Sequence, residues 1–194
     1  MQVKTCGNCI YCVTSEGEPY YCAIKDFYHF VYLKKKACEE FKGVEPMKER
    51  YFEPVKGAPE DTELPKRGSK HSAGYDFYAP KDFVIPARGT SELIHFNVKA
   101  IMPKDEYLNL KIRSGLSVKH NIMLCCSGVI DADFANNPDN DGNIGAKFMN
   151  MGDTKYYMQK GERCMQGIFL KYFTVDDDDA DGERGGGYGS SGKF

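Results

Sequence analysis

Three short stretches in the second half of the sequence contain side chains that could bind a charged substrate or act on it. Residues 113–115 (RSG) follow the strand-like pattern of residues 107–112. A guanidinium, a hydroxyl and exposed backbone at a strand end can together bind an oxyanion. Residues 128–134 (GVIDADF) place two carboxylates and an aromatic ring in a predicted hairpin, and Gln166 stands beside an apolar strand pattern. Taken singly, each stretch is more typical of a turn or of a satisfied backbone group than of a binding site.

The last part of the sequence, residues 183–194 (ERGGGYGSSGKF), is rich in glycine and follows an acidic run at residues 176–182. Glycine loses more backbone entropy on folding than any other residue and has no side chain to pack. The segment therefore cannot build a core of its own. We expect a flexible arm that either has no partner or becomes ordered when a ligand binds.

Five of the eight cysteines lie within the first 38 residues, which indicates a separate small module. The spacing Cys-x2-Cys-x2-Cys, followed by two more cysteines, favours a metal over disulfides in a reducing compartment. Four thiolates around Zn²⁺ would allow about 40 residues to fold without a large core. We predict Cys6, Cys9, Cys22 and Cys38 as the ligands, with Cys12 spare or exchanging with Cys6. An iron–sulfur cluster and unliganded or redox-active thiols are the alternatives.

The elements that would position these side chains are short strands. Apolar and polar residues alternate in residues 93–101 and 107–112, a period of two that is typical of half-buried strands. Proline and glycine separate such runs at short intervals, and no run keeps a helical period over ten residues. The prediction is an all-β sandwich or barrel. The predicted order is a cysteine-rich module (1–43), a linker or wrapping segment (44–71), the β domain (72–175) and the arm (176–194).

Composition and charge exclude several classes of function. The chain of 194 residues is 41% hydrophobic and 28% charged, as in an ordinary globular protein. Its formal net charge of −2 gives no basic face for nucleic acid, and no apolar run approaches the length of a membrane-spanning helix. No secretory signal pattern is found, so the expected compartment is the cytoplasm, with no nucleic-acid or membrane partner. A P-loop sequence does not occur, which excludes a P-loop enzyme.

Five stretches, in this order along the chain, resemble the five motifs of the trimeric deoxyuridine triphosphatase (dUTPase) family: SAGYDFYA (72–79), IRSGLSVKHNI (112–122), GVIDADF (128–134), KGERCMQGIF (160–169) and RGGGYGSSG (184–192). The long form of the third motif, DADFANNPDNDGNIG, is similar to the phage and Gram-positive bacterial branch. The resemblance implies a jelly-roll-like β fold and a homotrimer whose sites lie between subunits. It also implies Mg²⁺-dependent hydrolysis of dUTP to dUMP and pyrophosphate.

The same resemblance implies roles for individual residues. Asp131 matches the acid that orients and activates the attacking water, a role that suits a general base. The residues that match phosphate-binding positions are Arg113, Ser114, Gly115, Gln166, Arg184, Gly189, Ser190 and Ser191. The residues that match the nucleoside pocket are Gly128, Val129, Ile130 and Asp131, whose backbone would read the uracil edge, Phe134 under the deoxyribose, and Tyr188 over the uracil.

The chain departs from the usual family pattern at three places. Phe134 stands where a tyrosine is usual, so its ring can stack but lacks the hydroxyl. The loop of residues 135–142 is longer than the common form, and its DNDGN run hints at a calcium loop, although a surface turn is the favoured interpretation. The fifth motif is one residue short between the arginine and the aromatic ring, which leaves the register of Arg184 against the γ-phosphate open.

Two other functions fit parts of the sequence. A deoxycytidine triphosphate deaminase shares the fold that the resemblance implies, but it would need a catalytic glutamate near the second and third motifs. This chain has aspartates there. The other is a regulatory role, in which the long loop or the cysteine module binds a partner protein; the sequence gives no indication of what that partner is.

Overall fold

The computed structural model describes residues 11–13, 19–21, 49–125, 128–182 and 184–188. The chain divides into two compact units, Met1–Lys48 and Glu49–Phe194. The first unit contains the cysteine-rich stretch, and the second contains all the stretches that resemble family motifs.

A two-stranded hairpin is described in the first unit. Strand β1 (Tyr11–Val13) pairs antiparallel with β2 (Pro19–Tyr21), and Tyr11 lies opposite Tyr21. The predicted metal ligands Cys6, Cys9, Cys22 and Cys38 lie outside the described residues. Of Cys12, the structure describes only its place in β1.

The second unit is built mainly from short antiparallel strands. They are β3 (Tyr51–Pro54), β4 (Lys66–Arg67), β5 (Tyr75–Tyr78), β6 (Phe83–Ile85), β7 (Ile94–His95), β8 (Val98–Ile101), β9 (Glu106–Ile112), β10 (Ile122–Leu124), β11 (Val129–Asp131), β12 (Gly145–Ala146), β13 (Phe148–Asn150), β14 (Tyr156–Met158) and β15 (Arg163–Lys171). Helix α1 spans Ser114–His120, and a 3-10 turn spans Ala132–Phe134. The prediction of an all-β class is confirmed.

A five-stranded antiparallel sheet carries residues from the first four motifs. Its strand order is β11-β9-β15-β5-β4. Strand β15 pairs with β9 from Met165 opposite Ile112 to Lys171 opposite Glu106. Within the described part of this unit, the other pairs are β10 with β13, β12 with β7, β14 with β6 and β3 with β8. Because β11 is an edge strand, one side of its backbone has no neighbour in this sheet.

The core forms where the alternating strands turn apolar side chains inward. In β9, Leu108 and Leu110 are buried, whereas Tyr107 and Asn109 are half-buried, which is the period of two that a strand produces. Burying each leucine stabilises the fold by about 1.5–3 kcal/mol. The long paired strands β9 and β15 thereby give the site a rigid base.

The segment predicted as a linker or wrapping segment, residues 44–71, contributes strands to the second unit. Strand β3 pairs with β8, and Phe52 packs edge-on against Tyr75 and Phe77 with ring centroids 5.4 and 5.6 Å apart. Strand β4 then adds a short edge beside β5. The strands of this unit therefore begin at Tyr51 rather than after residue 72. These short strands could not be predicted from the sequence, because the prolines of residues 44–71 interrupt every alternating run.

Helix α1 differs from the sequence prediction of a turn at residues 113–115. Ser114 begins a helix of seven residues. Asn121 ends it in the left-handed conformation, with φ 54°, and its N–H donates to the carbonyl oxygens of Leu116 and Ser117. Only Leu116 is buried among the helical residues, so the sequence shows no helical period. No helix in the described part of the chain is long and apolar enough to cross a membrane.

Candidate active site

A buried carboxylate, Asp76, holds two arginines at one end of the large sheet. Its Oδ1 lies 3.0 Å from Arg113 Nε and its Oδ2 lies 3.3 Å from Arg163 Nη1, while the residue is only 7% exposed. Arg113 directly follows β9 and Arg163 begins β15. We call Asp76, Arg113, Arg163 and Gln166 the arginine end. Two guanidinium groups on one carboxylate leave a net positive charge, which suits an anionic ligand.

Gln166 shares a face of the sheet with Asp76. It lies directly opposite Asp76 in β5 and opposite Lys111 in β9, and directly opposed residues present their side chains on the same face. Gly74 gives this glutamine its space, because a Cβ at position 74 would lie 2.2 Å from Gln166 Oε1. A side chain at position 74 would therefore push the Gln166 amide out of the place it has in this structure.

Ser114 and Gly115 stand next to Arg113 at the start of α1, and both are exposed. The first N–H groups of a helix have no acceptor within the helix, and the side chain of the N-cap residue Arg113 does not cover them. A hydroxyl, two N–H groups and a guanidinium are thus adjacent along the chain. Their role as phosphate ligands stays a prediction.

The other end of the sheet presents Asp131 and Asp133. Asp131 ends β11 and Asp133 lies in the following 3-10 turn; their side chains are 53% and 59% exposed. Gly128 makes the preceding turn with φ 63°, and a Cβ there would lie 2.6 Å from Leu110 Cβ. This position requires glycine for its backbone conformation and for its close approach to β9.

Arg184 of the arm forms ion pairs with both of these carboxylates. Its Nη2 pairs with Asp131 Oδ2, and its Nε lies 2.7 Å from Asp133 Oδ1. The guanidinium carbon lies 5.5 Å from the ring centroid of Phe134, which is within the range of a cation–π contact. Phe134 itself is buried. We call Asp131, Asp133, Phe134, Arg184 and Tyr188 the aspartate end.

Tyr188 packs on the aspartate end through both its ring and its hydroxyl. The ring lies edge-on to Phe134, with centroids 5.5 Å apart. The hydroxyl accepts a hydrogen bond from the Gly145 N–H and lies 3.3 Å from the carbonyl oxygen of Asn143. Stacking of Tyr188 over uracil stays a prediction. Gly189, Ser190 and Ser191, predicted beside the phosphates, lie outside the described residues.

The two ends are far apart within one chain. Asp131 lies opposite Tyr107 in β9. Asp76 lies opposite Gln166, and Gln166 lies opposite Lys111 in β9. The four positions from Tyr107 to Lys111 span roughly 13 Å along the strand. Across the sheet, β11 and β5 are three strand spacings apart, which is about 14 Å. One small ligand therefore cannot contact both Asp131 and the arginine end of the same chain.

The roles of Asp76, Arg163 and Asp133 are not among the predictions from the sequence. The signal for Asp76 was the acid that follows a glycine in SAGYDFYA, and the signal for Asp133 was its position two residues after Asp131. Their ion-pair partners could not be read from the sequence, because each partner comes from a distant strand or from the arm.

The described residues contain no group of three or more His, Cys, Asp or Glu side chains that could hold a metal ion. Asp131 and Asp133 nevertheless supply exposed carboxylate oxygens. Mg²⁺ prefers oxygen ligands and commonly takes several of them from substrate phosphates and water. The residues present therefore fit an ion that is bound together with a triphosphate. They give no support to a preformed cage of protein ligands.

Residues 60–192 match the family model described as dUTPase, and this range includes the five motif-like stretches. The chain belongs to the dUTPase family. The deoxyuridine 5'-triphosphate nucleotidohydrolase of Lactococcus lactis is 41% identical over 132 residues, which is 66% of this chain and 87% of that dUTPase. The cysteine-rich first unit lies outside the range that the family model matches.

Two solved dUTPase structures resemble the chain. The dUTPase from Streptococcus mutans superposes with a TM-score of 0.60 at 38% identity, covering 64% of this chain and 98% of that one. The second is a mutant dUTPase of Staphylococcus bacteriophage 80alpha with dUpNHpp, whose description concerns control of virulence-gene transfer by phage dUTPases. It superposes with a TM-score of 0.56 at 19% identity, covering 69% of this chain and 96% of that one. The second likeness shows the fold alone. The predicted jelly-roll-like dUTPase fold is confirmed.

Proposed function

We propose that the protein hydrolyses dUTP to dUMP and pyrophosphate at sites that each combine Asp131 of one subunit with Arg113 of another. The separation of the two ends carries this proposal. The aspartate end has the predicted base and the arginine end has the predicted phosphate ligands, and one chain cannot bring both to one triphosphate. A second copy must therefore complete the site, which supports the predicted homotrimer with sites shared between subunits.

At the aspartate end, Asp131 acts on the attacking water. Its half-exposed carboxylate can accept a hydrogen bond from that water and take its proton. The water oxygen bonds to the α-phosphorus while the bond from this phosphorus to the bridging oxygen breaks, and pyrophosphate leaves with the electron pair. Arg184, which pairs with Asp131 and Asp133 in this structure, exchanges these carboxylates for phosphate oxygens when the substrate binds and leaves Asp131 free to bind the water.

At the arginine end, positive charge and N–H groups stabilise the triphosphate. Phosphoryl transfer needs positioning and neutralisation of charge more than covalent chemistry from the protein. These groups come from Gln166 in β15, from Arg113 directly after β9, and from Ser114 and Gly115 at the start of α1. A Mg²⁺ ion, held by phosphate oxygens and water, would add further neutralisation of charge.

The open edge of β11 offers a way to read the base. The N–H of Leu110 donates to the carbonyl of Gly128 at 2.8 Å, so the alternation of an antiparallel pair turns the N–H and C=O of Val129 away from β9. A neighbouring donor and acceptor on an open strand edge are complementary to the N–H and C=O of the uracil imide. The buried ring of Phe134 follows this strand, where it can pack against the deoxyribose and crowd out a 2'-hydroxyl.

The direct test is pyrophosphate release from dUTP, UTP, dTTP and dCTP with Mg²⁺, using Asp131→Asn as the control. We expect release from dUTP alone and a loss of about 10²–10⁴-fold in kcat for the variant. No release from any nucleotide would contradict the proposal. Ammonia release from dCTP would support the deaminase alternative, although residues 112–134 contain no glutamate to serve as its catalytic acid–base group.

For the first unit we propose a Zn²⁺ site made by Cys6, Cys9, Cys22 and Cys38, with Cys12 spare or exchanging with Cys6. The spacing of the cysteines in the sequence supports it, since Cys-x2-Cys-x2-Cys is followed by Cys22 and Cys38. Elemental analysis of protein never exposed to chelator should find about one Zn²⁺ per chain. Iron with visible absorption would indicate the cluster alternative, and no metal at all would remove the proposal.

A regulatory partner protein and a cytoplasmic location stay predictions. The likeness to the phage 80alpha structure concerns the fold alone. The regulatory role would be separated from catalysis by Asp131→Asn: a biological effect that survives the loss of hydrolysis would favour binding, and an effect lost with hydrolysis would count against it.

A further inference from the structure

The long loop after the third motif, residues 135–142, has an internal frame built on one asparagine. The buried side chain of Asn137 donates to the carbonyl oxygen of Phe134 at 2.7 Å and to Asn140 Oδ1 at 2.8 Å. Its own Oδ1 accepts the N–H groups of Asp139 and Asn140, both at 3.1 Å. Asn140 Oδ1 also accepts the N–H of Gly142 at 3.0 Å. The loop is therefore a defined structure, and the amide of Asn140 is fixed within it.

A buried lysine holds this loop to the sheet. Lys99 in β8 is 5% exposed, and its Nζ lies 2.6 Å from Asn136 Oδ1, 3.0 Å from Asp141 Oδ2 and 3.3 Å from Glu53 Oε1. Burial alone would lower the pKa of Lys99, but its hydrogen bonds to Asp141 and Glu53 outweigh burial and raise it. A protonated lysine thus stands among the oxygen atoms of the loop, where the DNDGN run hinted at calcium.

The tip of the arm rests on this loop. The N–H of Gly187 donates to Asp139 Oδ2 at 2.8 Å. A Cβ at Gly187 would lie 2.9 Å from Asn140 Nδ2, so the arm passes too close to the loop for a side chain. Gly186 and Gly187 are buried, whereas residues 171–182 before them are exposed. The arm therefore consists of an exposed tether, residues 171–182, and a docked tip at Gly186 and Gly187. The side chain of Asp139 binds the backbone N–H of Gly187 in this tip.

We propose that the loop of residues 135–142 is the docking site of the arm, and that Asp139 is a positioning residue for dUTP hydrolysis. The kinetic part of the proposal rests on the proposed function. Asp139 fixes the position of Gly187 through a hydrogen bond to its N–H. In the sequence, Gly187 lies between Arg184 and Tyr188, whose side chains the arm brings to the aspartate end. The extra length of the loop thereby has a purpose: it provides an acceptor that holds the arm near Asp131 before any substrate binds.

Limited proteolysis tests the docking without relying on activity. An arginine-specific protease is applied to the full chain without nucleotide, and intact mass identifies the product that lacks residues 185–194. Asp139→Ala should speed this cleavage about three- to tenfold, since a hydrogen bond to a charged group is lost. Asp139→Asn, which keeps an oxygen acceptor, should restore much of the protection. Asp153→Ala, which removes an exposed partner of Arg88, should leave the rate unchanged. Equal rates in the Asp139→Ala variant and the wild type would overturn the proposal.

A double-mutant cycle tests the kinetic role. In the full chain, Asp139→Ala should lower kcat/KM for dUTP about three- to tenfold. In a chain that ends at Val175 the same substitution should have no further effect, because its partner is gone. An effect that persists in the shortened chain would overturn the positioning role and assign Asp139 to the substrate or the fold. If the wild type itself fails to hydrolyse dUTP, the proposed function fails, while the proteolysis result still decides the docking.

Discussion

The arginine end and the aspartate end of the large sheet are built in opposite ways. The arginine end comes from β5, β15 and the residue that directly follows β9, and a buried carboxylate fixes its two arginines. At the aspartate end both carboxylates are more than half exposed, and their cationic partner comes from the end of an exposed tether. Contacts between strands therefore fix the first cluster, whereas the second depends on a docked arm.

This difference suits a reaction that must admit its substrate and then exclude water. In the proposed site, an arginine end that is already held in place by Asp76 costs little to organise when the triphosphate arrives. The arm can open to admit the nucleotide and then close over it. Changes at the aspartate end should therefore act mainly through the arm, and changes at the arginine end through binding of phosphate.

Removal of the arm should have the largest effect. A chain that ends at Val175 loses Arg184 and Tyr188 but keeps all strands that the structure describes, from β1 to β15. We expect kcat/KM for dUTP to fall about 10²–10³-fold, with an unchanged far-ultraviolet circular dichroism spectrum. A rate near that of the full chain would show that the aspartate end does not need the arm.

At the arginine end, Asp76→Asn should raise KM about tenfold, which corresponds to roughly 1.4 kcal/mol of lost binding. An uncharged amide cannot hold both Arg113 and Arg163 in place. Steady-state kinetics should show the change mainly in KM. The control is Asp153→Asn, which removes an ion pair of 2.7 Å with Arg88 on the surface. Equal KM values in the Asp76→Asn and Asp153→Asn variants would show that Asp76 does not organise the arginine end for substrate binding.

Gly185 and Gly187 of the arm allow a matched comparison of two alanine substitutions. Gly187→Ala should lower kcat/KM about three- to tenfold, because its Cβ would meet the fixed amide of Asn140. Gly185→Ala makes no contact within 4 Å and should have a clearly smaller effect. Since both substitutions remove the same backbone freedom, similar losses would mean that flexibility, rather than docking, sets the rate.

An ion pair in the same sheet but outside both named clusters should affect stability without affecting turnover. Glu106 is buried at the start of β9, and its two-pronged hydrogen bonds with Arg50 hold the pKa of Glu106 below its usual value. Glu106→Gln should lower the thermal midpoint at pH 7 by about 2–4 °C and leave kcat unchanged.

The pH dependence of this effect has a definite sign. A carboxylate with a lowered folded-state pKa contributes its full stability above its unfolded pKa of about 4.3, and loses it as the pH falls through the folded value. The difference in midpoint between wild type and Glu106→Gln should therefore narrow below about pH 4. A difference that widens in acid would contradict the assignment.

The sequence allowed prediction of the parts that depend on local pattern. The alternation in residues 93–101 and 107–112 indicated β8 and β9, and motif-like stretches indicated the residues of both ends. Helix α1 was missed because one buried leucine in seven residues gives no period. Strand β3 was missed because prolines, Pro46 before the strand and Pro54 as its last residue, leave no long alternating run.

The connections within the site could not be predicted from local pattern, because they join distant residues. The Lys99 ammonium reaches Asp141 across 42 positions, and the Gly187 N–H reaches Asp139 across 48. Such contacts are decided by how strands and loops meet in space. The long loop could therefore be recognised as unusual from its sequence, whereas its use as a docking site became visible only in the structure.

The most direct test of the shared site is complementation between two inactive subunits. Asp131→Asn and Arg113→Gln, each carrying a different tag, are produced in the same cells, and mixed oligomers are purified through both tags in turn. In a mixed trimer, one site in three receives Asp131 and Arg113 intact from neighbouring subunits, so about a third of the wild-type rate should return. No activity above that of the separate variants would contradict a site built from two subunits.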